Sequence, residues 1–236
     1  MSRVSLSSLI LFENQNYLVL NKPPMLATLE DRSSPVNLLQ LVREKYPDAT
    51  VGHRLDKETS GVLVIAKNPD AYRAISMQFE NRKVVKVYHA LVHGHQDFKN
   101  KLIDAPIEKL SGGTVKIASG GKPSQTVFNT IRFFRKHTLL EVLPITGRMH
   151  QIRIHLTLLK CPICGDKTYG GLPVYLSDIK SGFKTSKNVN EEPLIKRIAL
   201  HAKRIRFSDL SGDIIEIEAP YPKDFKALLN QLERNN

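Results

Sequence analysis

The sequence predicts an α+β fold built on a mixed, mainly antiparallel β-sheet with flanking helices. Candidate strands outnumber candidate helices, and the two do not alternate with the regularity of a parallel βαβ array. Turn signals such as "SGG" (111–113) and "SGD" (211–213) also punctuate the strand-like runs. The chain has 236 residues and is 41% hydrophobic, enough for a sizeable core without disulfides or metal. A single domain over 1–236 is expected.

The opening "LILFENQNYLVLNKPP" reads as a short strand, a polar turn and a second strand, "YLVL", halted by Pro23 and Pro24. In "SPVNLLQLVREKYP" the apolar residues Val36, Leu38, Leu39 and Val42 fall near helical spacing, with Ser34 as N-cap and Pro35 at the first helical position. The run "GVLVIAK" (61–67) is a strand. It is followed by an amphipathic helix over "PDAYRAISMQFENR", with Ala71, Ala74, Ile75 and Phe79 along it. "KVVKVYHALVHG", "QTVFNTIRFF", "TLLEVLPI", "IRF" and "DIIEIEAP" are further strands. The polar stretch from Ser177 to Pro193 has little periodic apolar content and reads as a long mobile loop. No internal repeat is found.

Lys and Arg exceed Asp and Glu by 35 to 23, a formal net charge of +12. Such an excess suits a phosphate-bearing partner, nucleic acid first, although a merely basic surface has the same composition. The two cysteines, Cys161 and Cys164, are too few for a disulfide framework and point to a reducing compartment. The longest apolar run, "VLVIA", is far short of the ~20 residues that cross a bilayer, and "LSSLILF" lacks a cleavage site. A cytoplasmic location is expected, with no membrane partner.

Three constellations could carry chemistry. Asp56, in "VGHRLDKETSG", lies beside Arg54 and before the turn formed by Thr59, Ser60 and Gly61. It is either an ordinary surface ion pair or a catalytic carboxylate on a rigid support. In "PITGRMHQIRIHLTLLK", a helix after Gly147 places Ile152, Leu156 and Leu159 on an apolar stripe, Arg148, Gln151 and His155 on a polar one, and Arg153 to one side. Arginines at a helix start suit anion recognition, and a solvated helix face is the plain alternative. Along "KVYHALVHGHQ", His89, His93 and His95 share one face of a strand and Tyr88 takes the other. Zinc is disfavoured there, because no Cys or carboxylate of suitable spacing is near. "CPIC" is half of a zinc-ribbon pattern without a second pair, so Cys161 and Cys164 read as inert buried thiols. No metal is expected.

The stretches "LFENQNYLVLNKPP", "HRLDKETSGVLVIAK", "VYHALVHG", "GKPSQT", "ITGRMHQIRIHL", "GDKTYGG", "LHAKRIRF" and "EAPYPKDF" occur in that order from about Leu9 to Phe225. Together they resemble the RluA-type family of RNA pseudouridine synthases. The resemblance implies a mixed, mainly antiparallel sheet with a central catalytic cleft and isomerisation of uridine in structured rRNA or tRNA. By position it puts the catalytic aspartate on Asp56, the active-site tyrosine on Tyr88, the basic residue that pairs with the aspartate on Arg153, and the arginine that enters the RNA on Arg54. His53, Thr59, Arg148, His150 and Gln151 are further substrate-binding candidates, and Arg82, Lys83, Lys203, Arg204 and Arg206 candidates for backbone contact. No cofactor is required, since the reaction breaks and remakes one glycosidic bond with no redox step. A monomer acting on RNA, without a protein partner, is expected.

Departures from the family pattern are Met149 where Thr or Ser is usual, Cys161 where His is frequent, and "SDLSGD" in place of an "HP-x-x-G" pattern. No N-terminal S4-type domain is expected before Leu9. The competing reading is a catalytically inactive RNA-binding protein on the same fold, against which Asp56, Tyr88 and Arg153 speak. An acid-base hydrolase would need a second positioned carboxylate, and Glu58 in the turn is a poor one.

Overall fold

The computed structural model describes residues 5–30, 36–183 and 190–236. In chain order the first elements are β1 (Ile10–Glu13), β2 (Tyr17–Lys22), α1 (Leu38–Arg43), β3 (Thr50–Val51), β4 (Ser60–Ala66) and α2 (Pro69–Glu80). β5 (Val85–His93), β6 (Lys101–Asp104), β7 (Ile107–Lys109), β8 (Val115–Ile117), β9 (Gln125–Phe134) and β10 (His137–Pro144) follow. The last are α3 (Gln151–Leu158), α4 (Leu176–Ile179), β11 (Leu200–Ser208), β12 (Ile214–Glu218) and α5 (Lys223–Arg234). Two compact units result, one of Met1–Val87 with His201–Pro222, the other of Tyr88–Leu200 with Lys223–Asn236.

In the first unit the strands run β1-β2-β4-β11, with β3 beside β4 and β12 beside β11. β2 pairs antiparallel with β4 from Tyr17↔Ala66 to Lys22↔Gly61, whereas β4 and β11 run parallel through His201↔Ser60 and Ala202↔Gly61. Every residue of β4 is buried, as expected of a strand covered on both faces. Gly61, with φ +114°, is required at the parallel contact: a Cβ there would meet the Ala202 carbonyl oxygen at 2.1 Å. Beside it the Ser60 hydroxyl lies 2.9 Å from His201 Nδ1, whose Nε2 donates to the Ala219 carbonyl at 3.3 Å. α2 starts where the sequence predicts: Asn68 Oδ1 accepts from Ala71 N and Pro69 opens the first turn. Its Ala71 and Ile75 are buried.

α1 differs from expectation. It is only six residues long, and its N-cap is Asn37, whose Oδ1 accepts from Gln40 N at 3.0 Å. Val36 lies outside it and is exposed. The predicted cap Ser34 and Pro35 lie outside the described residues.

In the second unit β5, β10, β9 and β6 pair side by side, all antiparallel, and β7 and β8 form a separate two-stranded ribbon. The sheet expected from the sequence is therefore present, mixed and mainly antiparallel. α5 is an element the sequence reading does not predict; Phe225, Leu228 and Leu232 are its buried stripe. Asp224 in its first turn takes two hydrogen bonds from Arg197, Nε at 2.7 Å and Nη2 at 3.1 Å. Within the predicted loop 177–193, residues up to Ile179 belong to α4 and 184–189 lie outside the described residues.

Candidate active site

In the first unit Asp56 sits in the turn that leads into β4. Thr59 N donates to the Asp56 carbonyl at 3.0 Å, closing the turn. Leu55 is tied to Thr28 both ways: its N–H donates to Thr28 Oγ1 at 3.3 Å, and that hydroxyl donates to the Leu55 carbonyl at 2.9 Å. Lys22, fully buried at the end of β2, donates through Nζ to the carbonyls of Leu26 at 2.8 Å, Pro23 at 3.0 Å and Lys57 at 3.2 Å. A charged group with three backbone acceptors is well satisfied in the interior, and it fastens the Asp56 turn to the chain entering from β2. Nothing local in "NKPP" marks Lys22 for this role.

The neighbours divide. Arg54 is exposed, open to a large partner. His53 turns inward: Nε2 accepts from Val64 N at 3.2 Å and the ring packs on Phe79 at 4.9 Å between centroids. Burial, reinforced by the positive charge of Lys86, drives its pKa down to about 3, so it is a neutral acceptor supporting β4. Thr59 is buried, and its Oγ1 has no hydrogen-bond partner among the described residues.

In the second unit α3 carries the other predicted residues. The expectation of an outward polar stripe is overturned for Gln151 and His155, which are buried, as is Arg153 beside them. Gln151 Oε1 accepts from Thr146 Oγ1 at 2.7 Å and from Arg148 N at 2.9 Å, and Nε2 donates to the Gln125 carbonyl and to Thr126 Oγ1, both at 2.9 Å. Every polar valence of Gln151 is thus spent on the protein, which makes it a framework residue. His155 bonds Thr126 Oγ1 at 2.9 Å and the Ala105 carbonyl at 3.1 Å. Arg148 precedes the helix and is exposed.

Arg153 meets Asp166 through Nε to Oδ2 and Nη2 to Oδ1, each at 2.7 Å, with its guanidinium over the Tyr169 ring at 4.9 Å. Tyr169 OH accepts from Val115 N at 3.0 Å and lies 2.8 Å from His150 Nδ1. His150 is held in the left-handed region at φ 52° immediately before α3. Asp166 and Tyr169 are the residues the sequence reading missed, though "GDKTYGG" was among the matched stretches.

Tyr88 is half-buried on β5 opposite Val142 of β10. His95 falls off the face expected to hold three histidines, because β5 ends at His93 and Gly94 turns the chain with φ 78°. Of the basic candidates on β11, Lys203 pairs with Glu218 at 2.9 Å, while Arg204 and Arg206 both reach Glu216. Cross-strand acids therefore offset much of the positive charge there.

Residues 16–158 match the RNA pseudouridylate synthase family. Ribosomal large subunit pseudouridine synthase C of Vibrio cholerae is 33% identical over 230 residues, which cover 95% of this chain and 69% of that protein. The Pasteurella multocida protein of the same name is 36% identical over 231 residues, 94% of this chain and 67% of that one. Among solved structures, human RNA pseudouridylate synthase domain containing 4 superposes with a TM-score of 0.74 at 23% identity, covering 97% of this chain and 94% of that one, a likeness of fold. The chain belongs to the RNA pseudouridylate synthase family, in agreement with its RluA-type resemblance, and is an isomerase. Among the described residues no helix is long and apolar enough to cross a membrane.

Proposed function

We propose that the protein converts specific uridines of ribosomal RNA to pseudouridine, with Asp56 as the catalytic carboxylate. The rRNA assignment is supported by the names of the curated relatives and the net charge of +12, which favours a polyanion. The observation that carries the role of Asp56 is its mounting: a closed turn fastened by Thr28 and by the buried Lys22, directly before a buried strand. A side chain that must act on one sugar carbon needs such a support, since a misplacement of ~1 Å can cost ~100-fold in rate.

In this reading the target nucleotide leaves its stack at a cost of a few kcal/mol. The aromatic face of Tyr88 returns ~1–3 kcal/mol by packing on the base, and Arg54 contacts the RNA. The Asp56 carboxylate acts at the ribose, either at the anomeric carbon or on a proton of the neighbouring carbon. The glycosidic bond from nitrogen breaks, the uracil turns while held, and a ring carbon bonds to the sugar and then gives up its proton, while the freed nitrogen takes one. Arg153 supplies positive charge for the reaction, its guanidinium plane fixed by Asp166 and Tyr169.

The test is to map pseudouridine in total RNA from cells with the gene, without it, and complemented by wild type or Asp56→Asn. At least one rRNA uridine should lose its modification without the gene, regain it with wild type and stay unmodified with Asp56→Asn. A map that never changes would end the enzymatic reading.

A further inference from the structure

Among the described residues one group could hold a cation: His93, His137 and Cys164 each offer a ligand atom, and these atoms lie within 4.8 Å of one another. We propose that these three side chains form a binding site for a borderline-soft divalent cation such as zinc, which clips the end of the β5–β10 strand pair to the segment 161–172.

The site is built by the fold. His93 and His137 are directly opposed across β5 and β10, so the ladder register fixes the pair, and their rings lie 5.0 Å apart. Cys164 is drawn to the same place because its N–H donates to the Leu91 carbonyl at 2.9 Å, next to an isolated bridge between Val92 and Ile163. Its own carbonyl accepts from Ala199 N at 2.9 Å, so the backbone around the sulfur is held on both sides.

The side chains are prepared as ligands. Nε2 of His93 donates to the Leu172 carbonyl at 2.9 Å, which leaves the Nδ1 lone pair facing outward from that bond. Such a bond from the second ring nitrogen to a backbone carbonyl is the support that metal-bound histidines usually have. His137 is 3% exposed, and its buried Nδ1 has no hydrogen-bond partner among the described residues. Buried polar atoms are rarely left so, and a cation would supply the missing interaction. Cys164 is fully buried, and two imidazoles with one thiolate form a set that suits zinc.

Zinc with these ligands needs donor separations of about 3.3–3.6 Å, so binding would draw the side chains together by roughly 1 Å. On binding, the thiol proton leaves to solvent as the sulfur–metal bond forms, with no electron transferred. Three protein ligands leave a fourth position for water, reached from the half-buried His93 side. Sequence spacing hid the set, since Cys164 lies about seventy residues from His93 and the "CPIC" pair contributes only its second cysteine.

The test is cobalt(II) titration of the full chain after dialysis against chelator, read by the sulfur-to-cobalt charge-transfer band and by metal analysis. One equivalent should bind with that band and with the visible bands of a four-coordinate ion, and zinc should displace it. Cys164→Ser should abolish the charge-transfer band, while Cys161→Ser should retain it. His93→Gln, at a half-exposed position that tolerates change, should weaken binding about 100-fold or more, beyond the effect of losing an outer contact. Zinc at 100 times its Kd should raise the wild-type Tm by roughly 5–10 °C. Absence of the band in folded wild type overturns the site, as does a band that survives in Cys164→Ser. Should Cys164→Ser fail to fold, unchanged affinity in His93→Gln does the same.

Discussion

Arg153 and Asp166 form a two-pronged ion pair, both contacts 2.7 Å, with 5% and 1% of their side chains exposed. A guanidinium fork held this way keeps a fixed plane, and the Tyr169 ring beneath it removes a further freedom. Thirteen residues separate the partners, so the "GDKTYGG" turn sets the orientation of the α3 arginine.

Removing Asp166 takes two charge-assisted hydrogen bonds from a buried guanidinium. Asp166→Ala should cost about 3–5 kcal/mol, lowering Tm by roughly 10 °C. Denaturant unfolding checks the first figure and calorimetry the second. At a temperature where the variant remains folded, turnover should fall much more than RNA affinity. A loss of less than ~1 kcal/mol would mean the guanidinium is held elsewhere.

Lys22 offers a test of how the Asp56 turn is supported. In Lys22→Met the carbonyls of Pro23, Leu26 and Lys57 lose a charged donor, and stability should drop by about 2–4 kcal/mol. Lys22→Arg should not restore it, because the planar guanidinium cannot reproduce three bonds from one compact nitrogen. Stopped-turnover assays should show kcat falling with little change in Kd for RNA. Equal loss in both would point to general unfolding.

His53 makes stability fall in mild acid. Its pKa is about 3 in the folded protein and ~6.5 unfolded, so below about pH 6.5 the unfolded chain binds a proton that the folded chain refuses. This one group therefore removes up to ~1.4 kcal/mol per pH unit as pH drops from about 6.5 toward 3. His53→Gln keeps an acceptor for Val64 N without titrating, and its stability against pH should be flatter in that window. Urea midpoints at pH 7, 6, 5 and 4 decide it, and parallel curves would mean His53 charges in the folded state.

Much of this fold is legible in the sequence because its signals are local. "VLVIA" declares a strand covered on both faces, and Asn68 with Pro69 declares the start of α2. Short strands β6, β7 and β8 carry too few residues for a period to show, and α5 sets its three buried apolar residues among charges. The polar face of α3 misleads for another reason. Gln151 and His155 are buried because Gln125, Thr126 and Ala105, some 25 to 50 positions away, complete their hydrogen bonds. Nothing in the local pattern distinguishes such a face from a solvated one. The motif around Asp56 is local in the sequence, whereas Lys22 and Asp166 act through contacts that only folding creates.

Arg54 and Lys203 allow RNA contact to be separated from general charge. Arg54 is exposed, whereas Lys203 already has Glu218 at 2.9 Å and donates to the Ala219 carbonyl at 3.2 Å. A cation that neutralises a phosphate releases condensed counterions, so its loss lowers the slope of log K against log salt by about 0.7–0.9. Arg54→Ala should weaken binding to an rRNA fragment and reduce that slope by about one contact, with stability unchanged. Lys203→Ala should leave the slope nearly intact, because its charge is spent within the protein. The measurement is Kd at several salt concentrations between 50 and about 200 mM. A slope reduced equally by both substitutions would mean that Arg54 acts through the net charge of the surface, with no phosphate of its own.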